Sequence, residues 1–188
     1  VFTLPTVSDQ PVSGGVLLSR FPALAEPQFR RYFTGQSIAL VGGFAHNVAL
    51  TWLAYRLSGS TLVLGIVGFA AMAPTLLVSP VAGLFADRFP RRRLLLIVLG
   101  AVAVHCLVLA VLVFGGWINT AGLIAMALLC GVLFAFEIPV RHAFIAELVR
   151  DRKLLPNAVA LHSSALNGAR FVGPAIGALL LTVANASV

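Results

Sequence analysis

An all-α membrane protein of about five transmembrane helices is the fold class this sequence predicts, and three observations predict it. Hydrophobic residues make up 60% of the 188 residues and charged ones only 10%, against about 25% charged in a soluble domain. Apolar runs near the ~20 residues a helix needs to cross a bilayer recur along the chain, separated by short polar connections. The basic residues gather in alternate connections: Arg30 and Arg31, then Arg88 with Arg91 to Arg93, then Arg141, Arg150, Arg152 and Lys153. By the positive-inside rule these connections, and the N-terminus, are cytoplasmic in a multi-pass protein of the cell (inner) membrane.

Residues 1–28 are rich in Pro, Ser and Gly and carry no helical apolar stripe, so they read as a mobile cytoplasmic tail. They lack the basic start and continuous apolar core of a signal peptide. Residues 29–188 read as a partial transmembrane bundle. Its first span is about 33–57, closing in an uncharged turn at Ser58 to Thr61. The second is 62–86, where Pro74 and Pro80 should kink the helix. The third is 94–114, followed by a turn that sets Trp117 at the interface. After the fourth, 121–140, a longer polar connection carries Arg141, Glu147, Arg150, Asp151, Arg152 and Lys153. The fifth is 157–183. Five crossings leave the two ends on opposite sides, and the chain opens on Val1, so a piece of a larger bundle is expected. Its partner would be a C-terminal transmembrane half.

Two stretches stand out. Residues 83–93, GLFADRFPRRR, pack five charges between the second and third spans. Gly83 lets its helix end approach a neighbour closely. Asp87 can accept hydrogen bonds from the N-terminal amides of an adjacent helix and is favoured by that helix's dipole. Arg88 and Arg91 to Arg93 can pair with it or with lipid phosphate; simple topogenic charge is the plainer account. In the fifth span, Ala165, Ala169, Gly173 and Gly177 recur every fourth residue. They form one smooth face along which transmembrane helices can approach, and Pro174 adds a lost backbone donor and a bend.

The order of charges in 83–93, and its place after the second span, resemble the signature turn of the major facilitator superfamily. Pro90 stands where the general pattern has a second glycine. Asn167, Gly168, Arg170, Gly173, Pro174 and Gly177 resemble the fifth-helix pattern of exporters in that superfamily. The blocks 29–36 (FRRYFTGQ), 52–60 (WLAYRLSGS), 139–142 (PVRH) and 155–161 (LPNAVAL) are similar to the branch holding the bacterial enterobactin exporter and its drug-efflux relatives. Together the likeness covers most of residues 29–183. It implies the N-terminal helical bundle of a major facilitator superfamily transporter. Gly83, Asp87, Arg88, Arg91 and Arg92 would then form a gate latch that meets a helix of the other half. Ala165, Ala169, Gly173, Pro174 and Gly177 would form a pliable, leak-tight helix contact. The implied activity is secondary transport: export of siderophore-like or drug-like small molecules by alternating access, coupled to protons.

Polar groups at membrane depth are costly and face a cavity or a partner. His46, Asn47 and Thr51 lie in the first span and His105 in the third. Glu137 lies near the cytoplasmic end of the fourth, and His162, Asn167 and Arg170 in the fifth. Because the first, second, fourth and fifth helices line the central cavity of the family, the resemblance implies His46, Asn47, Glu137, Asn167 and Arg170 as substrate or proton candidates. It implies a structural role for His105. Glu137 precedes Arg141 by four residues, so a structural ion pair along one helix face is the plainer reading of both. Arg170 is another possible partner for Glu137, or a contact for an anionic substrate. His46 can titrate near neutral pH or simply bond a neighbouring helix. The acidic residue that many proton antiporters of the family carry in the first helix is absent from this first span, so coupling falls to Glu137, His46 or the other half.

Cys106 and Cys130 show no paired or metal-ligand spacing and read as small buried apolar side chains. No metal and no cofactor is expected. The formal charge of +7 would point to nucleic acid only on a soluble basic face, and none is present to carry it. A membrane-embedded enzyme would need clustered carboxylates, histidine pairs or a nucleophile motif inside the bilayer, and the sequence spells none. An accessory or scaffold membrane subunit fits a five-span chain but leaves the charged turn and the intramembrane polar residues without a purpose.

Overall fold

The computed structural model describes residues 21–149 and 151–186, without the side chains of residues 86–87 and 184–186. Five long helices follow one another: α1 (Pro27–Ser58), α2 (Thr61–Arg88), α3 (Arg91–Phe114), α4 (Thr120–Leu148) and α5 (Leu155–Ala186). The shortest, α3, has 24 residues and is therefore ~36 Å long, enough to cross a hydrocarbon core of ~30 Å. Large apolar side chains point outward on every helix: Leu76 is 81%, Phe171 80% and Phe114 92% exposed. A water-facing surface of that kind would be an aggregation site; against lipid it is the solvated face.

Local chemistry sets the helix ends. Pro27 opens α1 at the position where a missing N–H costs nothing. Gly59 closes it in the left-handed region (φ 61°), donating its N–H to the Tyr55 carbonyl at 2.8 Å. α2 runs unbroken through Pro74 and Pro80. Phe89 is extended (φ −111°, ψ 154°), as the residue before a proline prefers, and Pro90 leads directly into α3. The charged turn is thus two residues long and has no positive φ, so proline serves where the family pattern has glycine. Arg91, Arg92 and Arg93 form the first turn of α3. The helix dipole opposes a cation there by roughly 0.3–1 kcal/mol, so helix stability does not explain them. Between α3 and α4, Gly116 takes a φ of 68°, and the Asn119 side chain caps α4 by accepting the Gly122 N–H at 2.7 Å.

Two boundaries differ from expectation. The proline-rich stretch was expected to stay a tail as far as residue 28, but residues 21–28 are built into the bundle. A 3-10 turn at Pro22–Ala25 buries Ala23 completely, and the Ala23 N–H donates to Asn157 Oδ1 at 3.2 Å. Ala23 and Phe29 pack with Ile145, Val149, Ala158 and Leu161, an anchor that the prolines around it conceal. Residues 1–20 lie outside the described residues. Second, Arg141 and Glu147 are not in a connection. α4 continues to Leu148 because Val140, Phe144, Ile145 and Leu148 prolong its apolar stripe at helical spacing.

The helices fall into two packed groups. α2 lies along α4 and α3 lies on α4 as well, while α1 lies along α5; α1 meets α2 and α4 more sparsely. Gly131 makes the α2–α4 approach possible: a Cβ there would strike the Ala71 carbonyl oxygen and come within 3.0 Å of Pro74 Cδ. Apolar clusters close both ends of the bundle. Leu50, Leu53, Val67, Leu109 and Leu123 hold the end with uncharged turns, and Phe29, Ile145 and Leu161 hold the other. The buried polar groups lie between.

Candidate functional site

The small-residue face of α5 is the seam with α1. Ala169, Gly173 and Gly177 are buried and Ala165 partly so. A Cβ at Gly173 would strike Phe44 Cβ and lie 2.8 Å from the Val41 carbonyl oxygen. At Gly177 it would lie 3.0 Å from the Ala45 carbonyl oxygen. The two backbones therefore touch: a Cβ clashes outright at Gly173 and is tight at Gly177. Without a hydrophobic force between helices in lipid, such close approach is what holds them.

Between the apolar ends lies a polar layer. Glu137 and Arg141 are only 4% and 7% exposed, and the guanidinium meets the carboxylate at 2.9 Å along one face of α4. Arg141 Nε and the Tyr32 hydroxyl are both buried, with no hydrogen-bond partner among the described residues. His162 meets His142 edge to face at 5.9 Å. The buried Glu137–Arg141 ion pair gains little net stability over apolar packing. Arg170, the other partner the sequence allows for Glu137, is exposed, as are Asn47 and Asn167. The cavity candidates thus divide: Glu137 is turned into the bundle, His46 is half-buried, and the other three face outward.

Sequence reasoning missed one grouping. His105, expected to be merely structural, is buried with its Nε2 3.0 Å from the Met126 carbonyl oxygen and its ring edge to face with His46 at 5.9 Å. Cys130 joins them, so that three helices deliver one ligand atom each to within 4.8 Å of one another. Spacings of 59 and 25 residues across three spans carry no signal that could announce this.

At the charged turn, Arg91 reaches Glu147 of α4 at 3.9 Å, both side chains being well exposed; such a pair is worth at most about 1 kcal/mol. A Cβ at Gly83 would meet nothing within 4 Å, so the close approach expected of it is not made among the described residues. Arg88 is exposed, and the Asp87 side chain lies outside the described residues. Arg92 lines a cleft of about 240 Å³ with Arg31, Tyr32, Gln36, Leu95 and Phe144.

Five membrane-length apolar helices, a close-packed glycine seam and a buried ion pair define a multi-pass helical membrane protein. Comparison with known proteins then supplies the family. Residues 18–188 match the major facilitator family described as transmembrane secretion effector, and the chain belongs to that family. The staphyloferrin A transporter of Staphylococcus aureus is 32% identical over 156 residues, covering 82% of this chain and 39% of that protein. The multidrug efflux pump Tap of Mycolicibacterium fortuitum is 29% identical over 140 residues, covering 71% of this chain and 34% of the pump. Its namesake in Mycobacterium tuberculosis is 31% identical, covering 77% and 35%. The chain therefore spans between a third and two-fifths of the length of these relatives. No solved structure matches it significantly.

Proposed function

We propose that this chain forms the N-terminal part of a proton-coupled exporter of small molecules, siderophore-like or drug-like, in the cell membrane. The family match over residues 18–188, joined to a charged turn between α2 and α3, carries the reading. The N-terminus and the charged turn lie on the cytoplasmic side, where the arginines gather. Asp87 latches onto the N-terminal amides of a helix in a C-terminal half, aided by the helix dipole, and Gly83, Arg88, Arg91 and Arg92 shape the turn. The half-bundle rocks as a unit against its partner, and the α1–α5 seam of Ala165, Ala169, Gly173, Pro174 and Gly177 keeps it from leaking as it moves. His46, Asn47, Asn167 and Arg170 serve substrate or proton, and Glu137 carries a proton when its pair with Arg141 opens.

The test is substrate accumulation in efflux-deficient cells that express the full-length protein. Wild type should lower accumulation of at least one siderophore or drug, and Asp87→Asn at equal membrane level should lose about tenfold or more of that export. A wild type that exports nothing from either class removes the exporter reading; undiminished export by Asp87→Asn removes the latch alone.

A further inference from the structure

We propose that His46, Cys130 and His105 form a binding site for a monovalent copper ion that clasps α1 to α3 and α4. The exporter reading does not require it, and with His46 coordinated the proton role in that reading falls to Glu137. The donor atoms come from three helices and lie within 4.8 Å of one another. A trigonal or tetrahedral ion with bonds of 2.0–2.3 Å needs donors about 3.3–3.7 Å apart, so side-chain adjustments of about 1 Å complete the site.

The protonation of His105 is set by its neighbour. The Met126 carbonyl can only accept, so the Nε2 that lies 3.0 Å from it carries the ring hydrogen. In the neutral ring this leaves a lone pair on Nδ1. That atom is buried in a residue 3% exposed and has no hydrogen-bond partner among the described residues. A metal-ligating histidine has this arrangement, one nitrogen held by a carbonyl and the other free for the ion. His46 Nε2 is likewise buried without a partner. Each ring of this group thus holds a buried nitrogen with no partner among the described residues, which costs free energy in a purely structural core. One ion satisfies both.

Charge selects the metal. Coordination converts the Cys130 thiol to thiolate, its proton passing to water as the sulfur–metal bond forms. Thiolate and a monovalent copper ion sum to zero, which suits a site at membrane depth. A divalent ion would leave a net positive charge there. The next carboxylate along α4, Glu137, is seven residues on, ~10 Å away, and is held by Arg141. Two imidazoles and a soft thiolate are also the donors that favour copper. Because α1 meets α4 sparsely, such an ion would tie together the two packed groups of the bundle.

The full-length protein in nanodiscs, loaded with copper(I) under ascorbate and challenged with bicinchoninate, tests this. Wild type should keep one copper per chain, with X-ray absorption showing one sulfur and two nitrogen donors. Loss of a partner behind a metal ligand weakens binding 10–100-fold, so Cys130→Ser and His105→Asn should each weaken it roughly 100-fold or more. His142→Gln, in the other polar cluster, should bind as wild type does. Should His105→Asn fail to purify as a single species, Cys130→Ser and the wild-type absorption spectrum decide. The site is refuted by copper lost to the chelator in wild type, by copper kept equally in Cys130→Ser, or by retention of zinc where copper is lost.

Discussion

Replacing Gly173 by alanine is the sharpest probe of the α1–α5 seam, because the structure fixes what the added methyl meets. Its carbon would strike Phe44 Cβ and lie 2.8 Å from the Val41 carbonyl oxygen, where ordinary contact begins at 3.4 Å. The helices must open by at least about 0.6 Å at this level, and neither obstacle is the loose end of a flexible side chain. Overpacking of this sort costs roughly 1–3 kcal/mol. Alanine also gains about 0.8–1.0 kcal/mol over glycine in helix propensity, which masks part of the loss. Gly168→Ala on the same helix corrects for that, since its methyl meets nothing within 4 Å. The gap between the two variants then isolates the clash. Thermal unfolding of the purified full-length protein should put Gly173→Ala several degrees below Gly168→Ala. Equal midpoints, or the reverse order, would refute a touching seam.

Three further outcomes follow from the buried pair and the open glycine. Arg141→Gln leaves an unpaired carboxylate in the interior and should destabilise by about 3–5 kcal/mol, whereas Glu137→Gln with Arg141→Gln should recover most of that; equal midpoints for the single and double variants would show that the pair is not buried in the membrane. In the proposed exporter, Glu137→Gln that retains full proton-driven transport removes Glu137 from coupling. At Gly83 a Cβ meets nothing among the described residues, so at unchanged membrane level loss of export in Gly83→Ala reports a contact made by the other half, and undiminished export means Gly83 meets nothing there.

What the sequence made legible follows from which physical signal is local. Membrane helices, their alternating charges and the fourfold recurrence of small residues on α5 are read from neighbours along the chain, and so is the Glu137–Arg141 pair. Helix ends were harder. Arg141 looks like the start of a loop when charge alone is read, yet Phe144, Ile145 and Leu148 carry the apolar stripe past it. Prolines hid the anchoring of Ala23 on Asn157, because a single hydrogen bond 134 residues apart leaves no pattern. The grouping of His46, His105 and Cys130 is of the same kind. It depends on how three helices are rotated about their axes, and hydropathy that is nearly uniform around a lipid-facing helix does not encode that rotation.

The two kinds of contact in this bundle divide its labour. Glycine seams lie inside each packed group, Gly173 and Gly177 between α1 and α5, Gly131 between α4 and α2. They hold backbone to backbone and do not yield without a clash. Polar groups lie where the groups meet less closely: Tyr32 and His46 on α1 face toward Phe144 of α4 and His105 of α3. Interfaces of that sort can rearrange by exchanging hydrogen bonds, and the Tyr32 hydroxyl and Arg141 Nε have no hydrogen-bond partner among the described residues. A buried polar group without a partner costs about 1–3 kcal/mol, so a second arrangement that satisfies them would be reached at little net cost. In the proposed exporter, a bundle that rocks as a unit while a proton enters its interior would draw on this combination of stiff seams and an adaptable polar layer.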